Sequence, residues 1–448
     1  MVQSLGCRHS NRLQVDTIQT AAMPAHRNPA AAPPPWHWRT LLWAPHRLAF
    51  ALACLLLIGS SLWWAQVQLT RIGWLPGWLS LAQDFHPSLV HGTLMTFGFM
   101  PLFFVGFLYT AGPKWLGLPG PTAQQIAPGL LLQALGWLGW LVGAQTAPAL
   151  AFGGAALAGL GMGMNLWGFC ALLRRSRVPD QIHARLIALA WMLGLCSLAG
   201  LLLALSLDNA ALARAFLQTG LWGFVVVVFV TVAHRMIPFF TSSALPMISI
   251  WRPQWVLVFM LFAVGLQVLT VWLQWLQWDL KAWGTLSSFW LLVTGMVVLG
   301  LAFVWGLVQS LRIRLLAMLH IGFLWLGLAF LIDSIGHFWM LISDERPWTL
   351  GAMHAITMGF MGSLLMAMVT RVSCGHGGRT LVADGWVWAL FWLLQLATVL
   401  RVVADLAEPR FMLHLTLAAA LLWLLAMLPW ALRLLRWYGR PRLDGRPG

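Results

Sequence analysis

The sequence predicts an all-α, polytopic integral membrane protein: a helix bundle of about twelve transmembrane helices with both chain ends on the cytoplasmic side. Three observations support this prediction. Of the 448 residues, 60% are apolar and 9% are charged, whereas about a quarter of a soluble globular chain is charged. Apolar runs of about 20 residues, long enough to cross a bilayer, recur along the chain. Basic residues collect on alternate loops, as they do in membrane proteins.

The apolar runs define the helices in order. Their ranges are 47–68, 86–111, 124–144, 148–173, 183–207, 212–238, 254–275, 282–310, 316–341, 350–371, 384–404 and 411–436. The number is even, so both termini share one side. The first 42 residues are polar and then rich in Ala and Pro, a composition that cannot build a core. We therefore expect a disordered tail at 1–42, a membrane domain at 43–438 and a basic C-terminal tail at 439–448.

Charge assigns the sides of the membrane. With the N-terminus inside, most of the 27 Lys and Arg residues fall on the cytoplasmic face, where positive charge accumulates. The exceptions are Arg71, Arg214, Lys281, Arg346, Arg401 and Arg410. The net charge of +15 is therefore a topology signal. Because the basic residues are dispersed over short loops, they predict a lipid bilayer as partner and no nucleic acid.

Two distant segments carry a histidine and a methionine four residues apart, His91 with Met95 and His354 with Met358. Residues at this spacing share a helix face. Imidazole and thioether are ligand types that suit haem iron and copper, so all four side chains are candidate metal ligands. Most of the 20 methionines must simply pack, so the histidines carry the stronger prediction.

The membrane histidines form two predicted layers. The outer layer holds His86, His91, His337, His354 and His414, and the cytoplasmic layer holds His46, His234, His320 and His376. His183 is expected to be a solvated loop residue. A helix rises ~1.5 Å per residue, so His354 and His376 lie about 33 Å apart and cannot bind one ion. The outer layer predicts a ring of His91, His337 and His354, drawn from three helices.

Two further pairs leave two interpretations open. Asp333 precedes His337 by four residues and is the acid placed well inside a span. Its carboxylate either accepts a hydrogen bond from one imidazole nitrogen and so orients the other towards a ligand, or the two side chains only satisfy each other within the fold. Cys374 precedes His376 by two residues in a predicted loop. It is either part of a metal-binding Cys-x-His pair or a plain loop cysteine.

Several runs of this sequence resemble one known family, the NnrS proteins. They are His91–Phe99 (HGTLMTFGF), Gly106–Trp115 (GFLYTAGPKW), Arg235–Thr241 (RMIPFFT), His354–Gly362 (HAITMGFMG), Thr370–Arg379 (TRVSCGHGGR) and, more loosely, His320–Trp325 (HIGFLW). They occur in order from the second helix to the tenth, so the resemblance covers most of the chain. Family members often show His-Ala-His-Glu-Met at the second helix. Thr93 and Leu94 stand here in place of the second His and the Glu.

The resemblance implies a multi-pass protein of the bacterial inner membrane that binds haem, with copper as a second candidate metal, and takes part in the response to nitric oxide and nitrosative stress. It implies haem binding by His91, His337 and His354. At the cytoplasmic layer two interpretations stay open. His234, Arg235 and the run from Arg371 to Arg379 are positive-inside anchors and lipid head-group contacts, or the layer receives haem. In the second case imidazole from His320 and His376 binds iron and guanidinium from Arg235 and Arg371 binds the propionates. Catalysis, sensing and protection are all open, so no enzyme class is assigned.

Two other classes of protein compete with this interpretation. A haem-copper oxidase or nitric oxide reductase subunit also has about twelve helices, but it needs an adjacent His-His pair and a later His-x-His, and this chain has neither. A membrane transporter would favour broken helices around a polar midplane site. The midplane here is nearly uncharged, although Gly98, Pro101 and Gly106 could unwind the second helix.

Overall fold

Twelve helices of the structure, a computed structural model, are long and apolar enough to cross a membrane, which confirms the predicted number and order. The structure describes residues 35–75, 85–278, 281–343 and 348–445, and no strand occurs in these ranges. The spans are α1 Pro45–Arg71, α2 Pro87–Trp115, α3 Ala123–Thr146, α4 Pro148–Arg175, α5 Ile182–Ser206, α6 Ala210–Ala244, α7 Gln254–Trp275, α8 Ala282–Val304, α9 Arg314–Ser343, α10 Thr349–His376, α11 Gly385–Leu406 and α12 Pro409–Tyr438. The chain is a multi-pass membrane protein.

Local chemistry sets where these helices begin. Proline occupies the first turn of α1, α2, α4 and α12, where its missing N–H costs no hydrogen bond. A capping box between Thr122 and Gln125 begins α3, and the side chains of Asn209 and Asp384 cap α6 and α11. These caps satisfy backbone donors that lipid cannot satisfy.

Three predicted helix ends are wrong. The eighth helix ends at Val304, not at 310, because Gly306 adopts φ 88° and breaks it before a separate short helix, Leu307–Ser310. The sixth continues beyond Pro238 to Ala244. The tenth continues beyond Arg371 to His376. The long Arg side chain can carry its charge away from the apolar surface, so the charge does not require the helix to end. Cys374 is therefore a buried helix residue, and its assignment to a loop is wrong.

Both ends of the described chain meet at one end of the bundle, called the terminal end. A short helix, Trp38–Trp43, follows Pro35 there. The His37 backbone N–H donates to the Gly439 carbonyl at 2.8 Å, and the Thr40 hydroxyl donates to the Tyr438 carbonyl at 3.0 Å. Most of the predicted tail, residues 1–34, and several predicted loop charges lie outside the described residues. Those charges are Asp84, Asp279, Asp344, Glu345 and Arg346.

The helices follow a repeated pattern of four. In each set, α1–α4, α5–α8 and α9–α12, the first helix packs on the second and the third packs on the fourth. The fourth helix of one set packs on the first of the next, and α12 packs on α1, so the ring closes. The second helices α2, α6 and α10 are the most buried spans, each with 78% of its apolar window inside the bundle. They form the centre of the protein.

The closest helix contact is a glycine seam between α3 and α4. A Cβ added at Gly136 would overlap the Gly154 carbonyl and the Ala158 amide, and one added at Gly143 would overlap Ala151. Small residues let membrane helices approach until their backbones touch, which replaces the hydrophobic effect as a source of association. This seam holds the two outer helices of the first set together.

We predict that Gly136→Ala destabilises the protein by about 1–3 kcal/mol, because the added methyl group meets backbone that cannot move aside. Thermal unfolding of the purified protein in detergent would measure this. Gly153→Ala is the matched control, since no atom lies within 4 Å of the added methyl and alanine favours the helix. Equal melting temperatures for the two variants would contradict a seam that depends on glycine.

We also predict a pH-dependent contribution from Asp384, which lies between α10 and α11. Its carboxylate accepts two hydrogen bonds from Arg433, at 3.0 and 2.5 Å, and these bonds hold its pKa below the ordinary value. The contribution is therefore present above the ordinary pKa of about 3.9 and is lost as the pH falls through the lowered pKa. Because the pair is partly exposed, Asp384→Asn should cost about 0.5 kcal/mol at pH 7. In denaturant unfolding of both proteins, the difference in free energy should shrink as the pH falls below the ordinary pKa of the carboxyl group, and an unchanged gap would contradict this account.

Candidate functional site

The three central helices share an uncommon feature, a π-helical segment. These segments are Leu94–Gly98 in α2, Leu221–Val226 in α6 and Ala355–Gly362 in α10. A π turn widens the helix by one residue while keeping its backbone bonded, and such turns occur frequently at functional sites. His91 and His354 lie just before the π segments of α2 and α10. The second helix is therefore not unwound at Gly98 and Pro101, but widened beside its histidine.

His91 lies against aromatic and apolar surface. Its ring stacks on Trp64 of α1, with centroids 3.9 Å apart and planes 18° apart. Its Nδ1 is buried, and no hydrogen-bond partner for it occurs among the described residues. The neighbouring Gly92 faces Leu217 of α6, so α2 and α6 approach closely here. A buried ring nitrogen without a partner is costly, and a bound ligand would remove that cost.

His354 is already oriented by its own helix. Its Nδ1 lies 2.7 Å from the Leu350 carbonyl oxygen. A carbonyl can only accept, so Nδ1 carries the proton and the neutral ring keeps its lone pair on Nε2. Histidines that bind metals are commonly fixed in this way by a backbone carbonyl. His354 thus presents a ligand-competent nitrogen.

Charged side chains surround this pair of histidines. His91 and His354 are close enough for their charges to interact, and the charge of Arg401 in α11 acts on both. Arg71 lies 5.3 Å from the Trp64 ring centroid, on the helix that supports His91. Asp405 interacts with Arg401 and accepts the Gly351 N–H at 2.8 Å. Two imidazoles and two guanidiniums therefore converge at the end of the bundle opposite the terminal end.

The predicted ring is only partly assembled. The structure brings His91 and His354 together, but among the described residues no three His, Cys, Asp or Glu side chains are grouped to hold a metal ion. His337 lies elsewhere, against Gly284 of α8, with its Nε2 buried and without a partner in the described chain. Met95 and Met358 are half-buried within the π segments, and Met95 packs against the hydrophobic core.

Asp333 is bonded to a residue that the sequence analysis did not identify. Its Oδ2 accepts a hydrogen bond from Nε2 of Gln267 at 2.5 Å, which joins α9 to α7. Nearby, the Trp283 N–H donates to the Thr270 hydroxyl at 2.9 Å. Gln267 is a polar residue within an apolar span, a signal that could have found it. The Asp333 carboxylate thus pairs with a polar side chain of a neighbouring helix.

At the terminal end, the predicted histidines pair separately. His320 Nε2 lies 3.0 Å from the Thr241 hydroxyl, and His376 packs on His46 with ring centroids 4.7 Å apart. His183 Nε2 lies 3.0 Å from His234 Nδ1. The prediction that His183 is a solvated loop residue is wrong: it is 3% exposed, because α5 begins at Ile182 and brings the ring against α6.

The predicted propionate ligands bind aromatic faces. The Arg235 guanidinium lies 4.8 Å from the Trp115 ring centroid, and that of Arg371 lies 4.1 Å from the Phe240 ring centroid. Cation–π contacts of this kind stabilise a desolvated guanidinium without neutralising it. Both charges therefore remain available to an anion, and the contact of Arg371 with Phe240 joins the central helices α10 and α6.

Comparison with known proteins gives one match. A family model described as "NnrS protein" matches residues 40–442, nearly the whole chain. No curated protein is similar enough to match the chain. The matched range includes both histidines of the α2–α10 pair and the five buried or half-buried histidines of the terminal end, His46, His183, His234, His320 and His376.

We predict that Asp333 and Gln267 stabilise the fold as a pair. Asp333→Leu and Gln267→Leu should each destabilise the protein, because each leaves one polar group unpaired among apolar helices. The double variant should be destabilised by about 1 kcal/mol less than the sum of the two single costs, since this is the scale of hydrogen bonds between membrane helices. Unfolding by denaturant in mixed micelles would measure the cycle. If the two costs simply add, the hydrogen bond contributes nothing to stability.

Proposed function

The chain belongs to the NnrS family, and from that premise we propose that it binds haem in the bacterial inner membrane and supports the response to nitric oxide and nitrosative stress. The observation that carries this proposal is the convergence of His91 and His354 from two central helices, each beside a π turn. The family supplies the class of function, and the histidine pair supplies a place for it.

The residues present fit a haem. His91 has a buried Nδ1 without a partner in the described chain, and His354 has a free lone pair on Nε2 because its Nδ1 is bonded to Leu350. Haem iron takes one or two axial ligands from protein, so a pair is enough. Arg401 and Arg71 provide positive charge for propionates, which guanidinium binds well.

A copper site is the weaker part of the proposal. Protein copper sites commonly use three or more donors, and the described residues contain no group of three His, Cys, Asp or Glu side chains that could hold a metal ion. Met95 and Met358 would have to complete such a site with His91 and His354. Both methionines remain candidate copper ligands, but their packing in the π segments favours a structural role.

The chemistry follows from these assignments. Haem iron supplies a site at which nitric oxide binds. The protein's own residues would hold and shield that site: Trp64 covers one face of the His91 ring, the Leu350 carbonyl fixes the His354 tautomer, and apolar helices exclude water. Binding is the whole of the proposal, and no acid–base pair beside the histidines assigns a catalytic step.

The haem-copper oxidase or nitric oxide reductase alternative and the transporter alternative are less well supported. An oxidase-like enzyme would need a histidine cluster for its copper, and no group of three His, Cys, Asp or Glu side chains that could hold a metal ion occurs among the described residues. A transporter would need broken central helices, and α2, α6 and α10 instead stay continuous through π segments. Neither alternative gives a role to the bond that orients His354 towards a ligand.

The proposal predicts a haem absorption spectrum. The protein purified from haem-replete cells should show a Soret band, and His354→Ala and His91→Ala should each weaken or shift it by removing an imidazole that would hold the haem iron. His414→Ala is the matched control, because His414 makes the same type of bond, to the Arg410 carbonyl at 3.1 Å, but lies exposed on α12. Metal analysis and thermal unfolding of each variant separate loss of haem from loss of fold.

A colourless, metal-free preparation of the folded protein would overturn the haem proposal and promote the transporter alternative. An unchanged spectrum in both folded histidine variants would move the haem away from α2 and α10, towards His320 and His376. Copper in the metal analysis that disappears with Met95→Leu or Met358→Leu would restore the methionines as ligands.

A further inference from the structure

Three histidines occupy equivalent positions in the three sets of helices. His46, His183 and His320 are separated by equal intervals in the sequence, and each lies near the start of the first helix of its set. All three are buried, at 2%, 3% and 0% exposure. In each of them Nδ1 has no hydrogen-bond partner among the described residues. The terminal end therefore carries three versions of one local arrangement, which can be compared directly.

The second version contains a carboxylate, and the third pairs its histidine with a neutral hydroxyl. In the second, His183 and His234 are near Arg235 and Arg252, and the carboxylate of Asp180 acts on His183 and on Arg235. The His234 Nε2–H donates to the Pro253 carbonyl at 3.1 Å. In the third, the partner of His320 is the neutral hydroxyl of Thr241. The negative charge of Asp180 thus offsets part of the positive charge of the second version, and the third pairs its histidine with an uncharged group.

The first version has an excess of positive charge. His46 packs on His376, and the charges of Lys114, Arg442 and Arg47 all act on the His376 ring. Arg47 is 3% exposed, yet its guanidinium donates only to backbone oxygens among the described residues, at 2.9 Å to Arg440 and 3.4 Å to Tyr438.

Among the described residues, one carboxylate lies beside this group, and it is already hydrogen-bonded to an arginine. Asp444 accepts two hydrogen bonds from Arg442, at 2.9 and 2.6 Å, and these bonds raise the pKa of Arg442. No described acid takes the place that Asp180 takes in the second version. A buried guanidinium without an anion is costly, and so is a buried imidazole nitrogen without a partner.

We propose that the cluster of His46, Arg47, Lys114 and His376 binds a phosphate group, which supplies the negative charge that Asp180 supplies in the second set. The positive charges disfavour a metal cation and favour an oxyanion, and guanidinium and ammonium are the usual donors to phosphate. Exposure falls from Lys114 at the rim, through half-buried His376, to His46 and Arg47 inside, so an anion can enter from the surface.

The phosphate group belongs either to a lipid head group or to free inorganic phosphate. Basic pockets between membrane helices on the positively charged side typically bind anionic lipid head groups. The cluster lies where α1, α2, α10 and the chain after α12 meet, at the level of the helix ends. The site is at the opposite end of the bundle from His91 and His354, so its test does not depend on haem binding by that pair.

The test uses the full-length protein in an uncharged detergent. Native mass spectrometry would detect a lipid that stays bound, and calorimetric titration of delipidated protein with inorganic phosphate, and separately with short-chain phosphatidylglycerol, would give affinities. We expect one of the two ligands to bind, and Lys114→Gln to weaken it about fivefold, as for one partly exposed charge contact. Lys114 lies on the rim, so this variant keeps the buried contacts of Arg47.

Arg252→Gln is the matched control, because it removes one positive charge from the second version of the arrangement, which already holds Asp180. It should leave the affinity unchanged. Binding of phosphatidylglycerol but not of phosphate identifies a lipid site, and the reverse identifies a site for the free anion. If neither ligand binds, or if Lys114→Gln and Arg252→Gln weaken binding equally, the proposed site does not exist.

Discussion

The backbone of a membrane helix must satisfy its own hydrogen bonds, since lipid offers none, and this constraint shapes the centre of the protein. A central helix cannot open a loop to make room for a ligand. It can widen, and α2, α6 and α10 each do so through a π segment. One segment directly follows His354 and another begins three residues after His91, which places both histidines close to points where the helix surface departs from regular spacing.

The two ends of the bundle solve the problem of buried polar groups differently. At the α2–α10 end, the imidazoles of His91 and His354 are held by stacking and by a backbone carbonyl. At the terminal end, polar groups are numerous and are paired locally, as in His183 with His234 and Ser373 with Tyr438. The unpaired groups that remain mark the places where a ligand would lower the free energy of the folded state.

The sequence was sufficient for the twelve spans, because a run of apolar residues long enough to cross a bilayer has few other stable structures. It also placed His91 and His354 in one layer. It could not show that His337 lies apart from them, since the rotation of α9 about its axis depends on packing with α8. The π turns have no characteristic amino-acid composition, so the sequence did not predict them. His183 follows a basic loop in the sequence and was therefore predicted to belong to that loop. The Asp333 partner, Gln267, is distant in sequence and required the fold.

The contact between the first and last helices has a consequence for biosynthesis. A nascent membrane protein inserts its helices in order, and α1 leaves the ribosome long before α12. Until α12 arrives, the face of α1 that packs on it, together with Arg47 and Thr40, which bond to Tyr438 and Arg440, has no partner. Assembly of the ring is therefore a late step, completed only after α12 has been inserted. A chain truncated before its last helix would present to the membrane's quality-control proteases an open ring with a charged, unsatisfied edge.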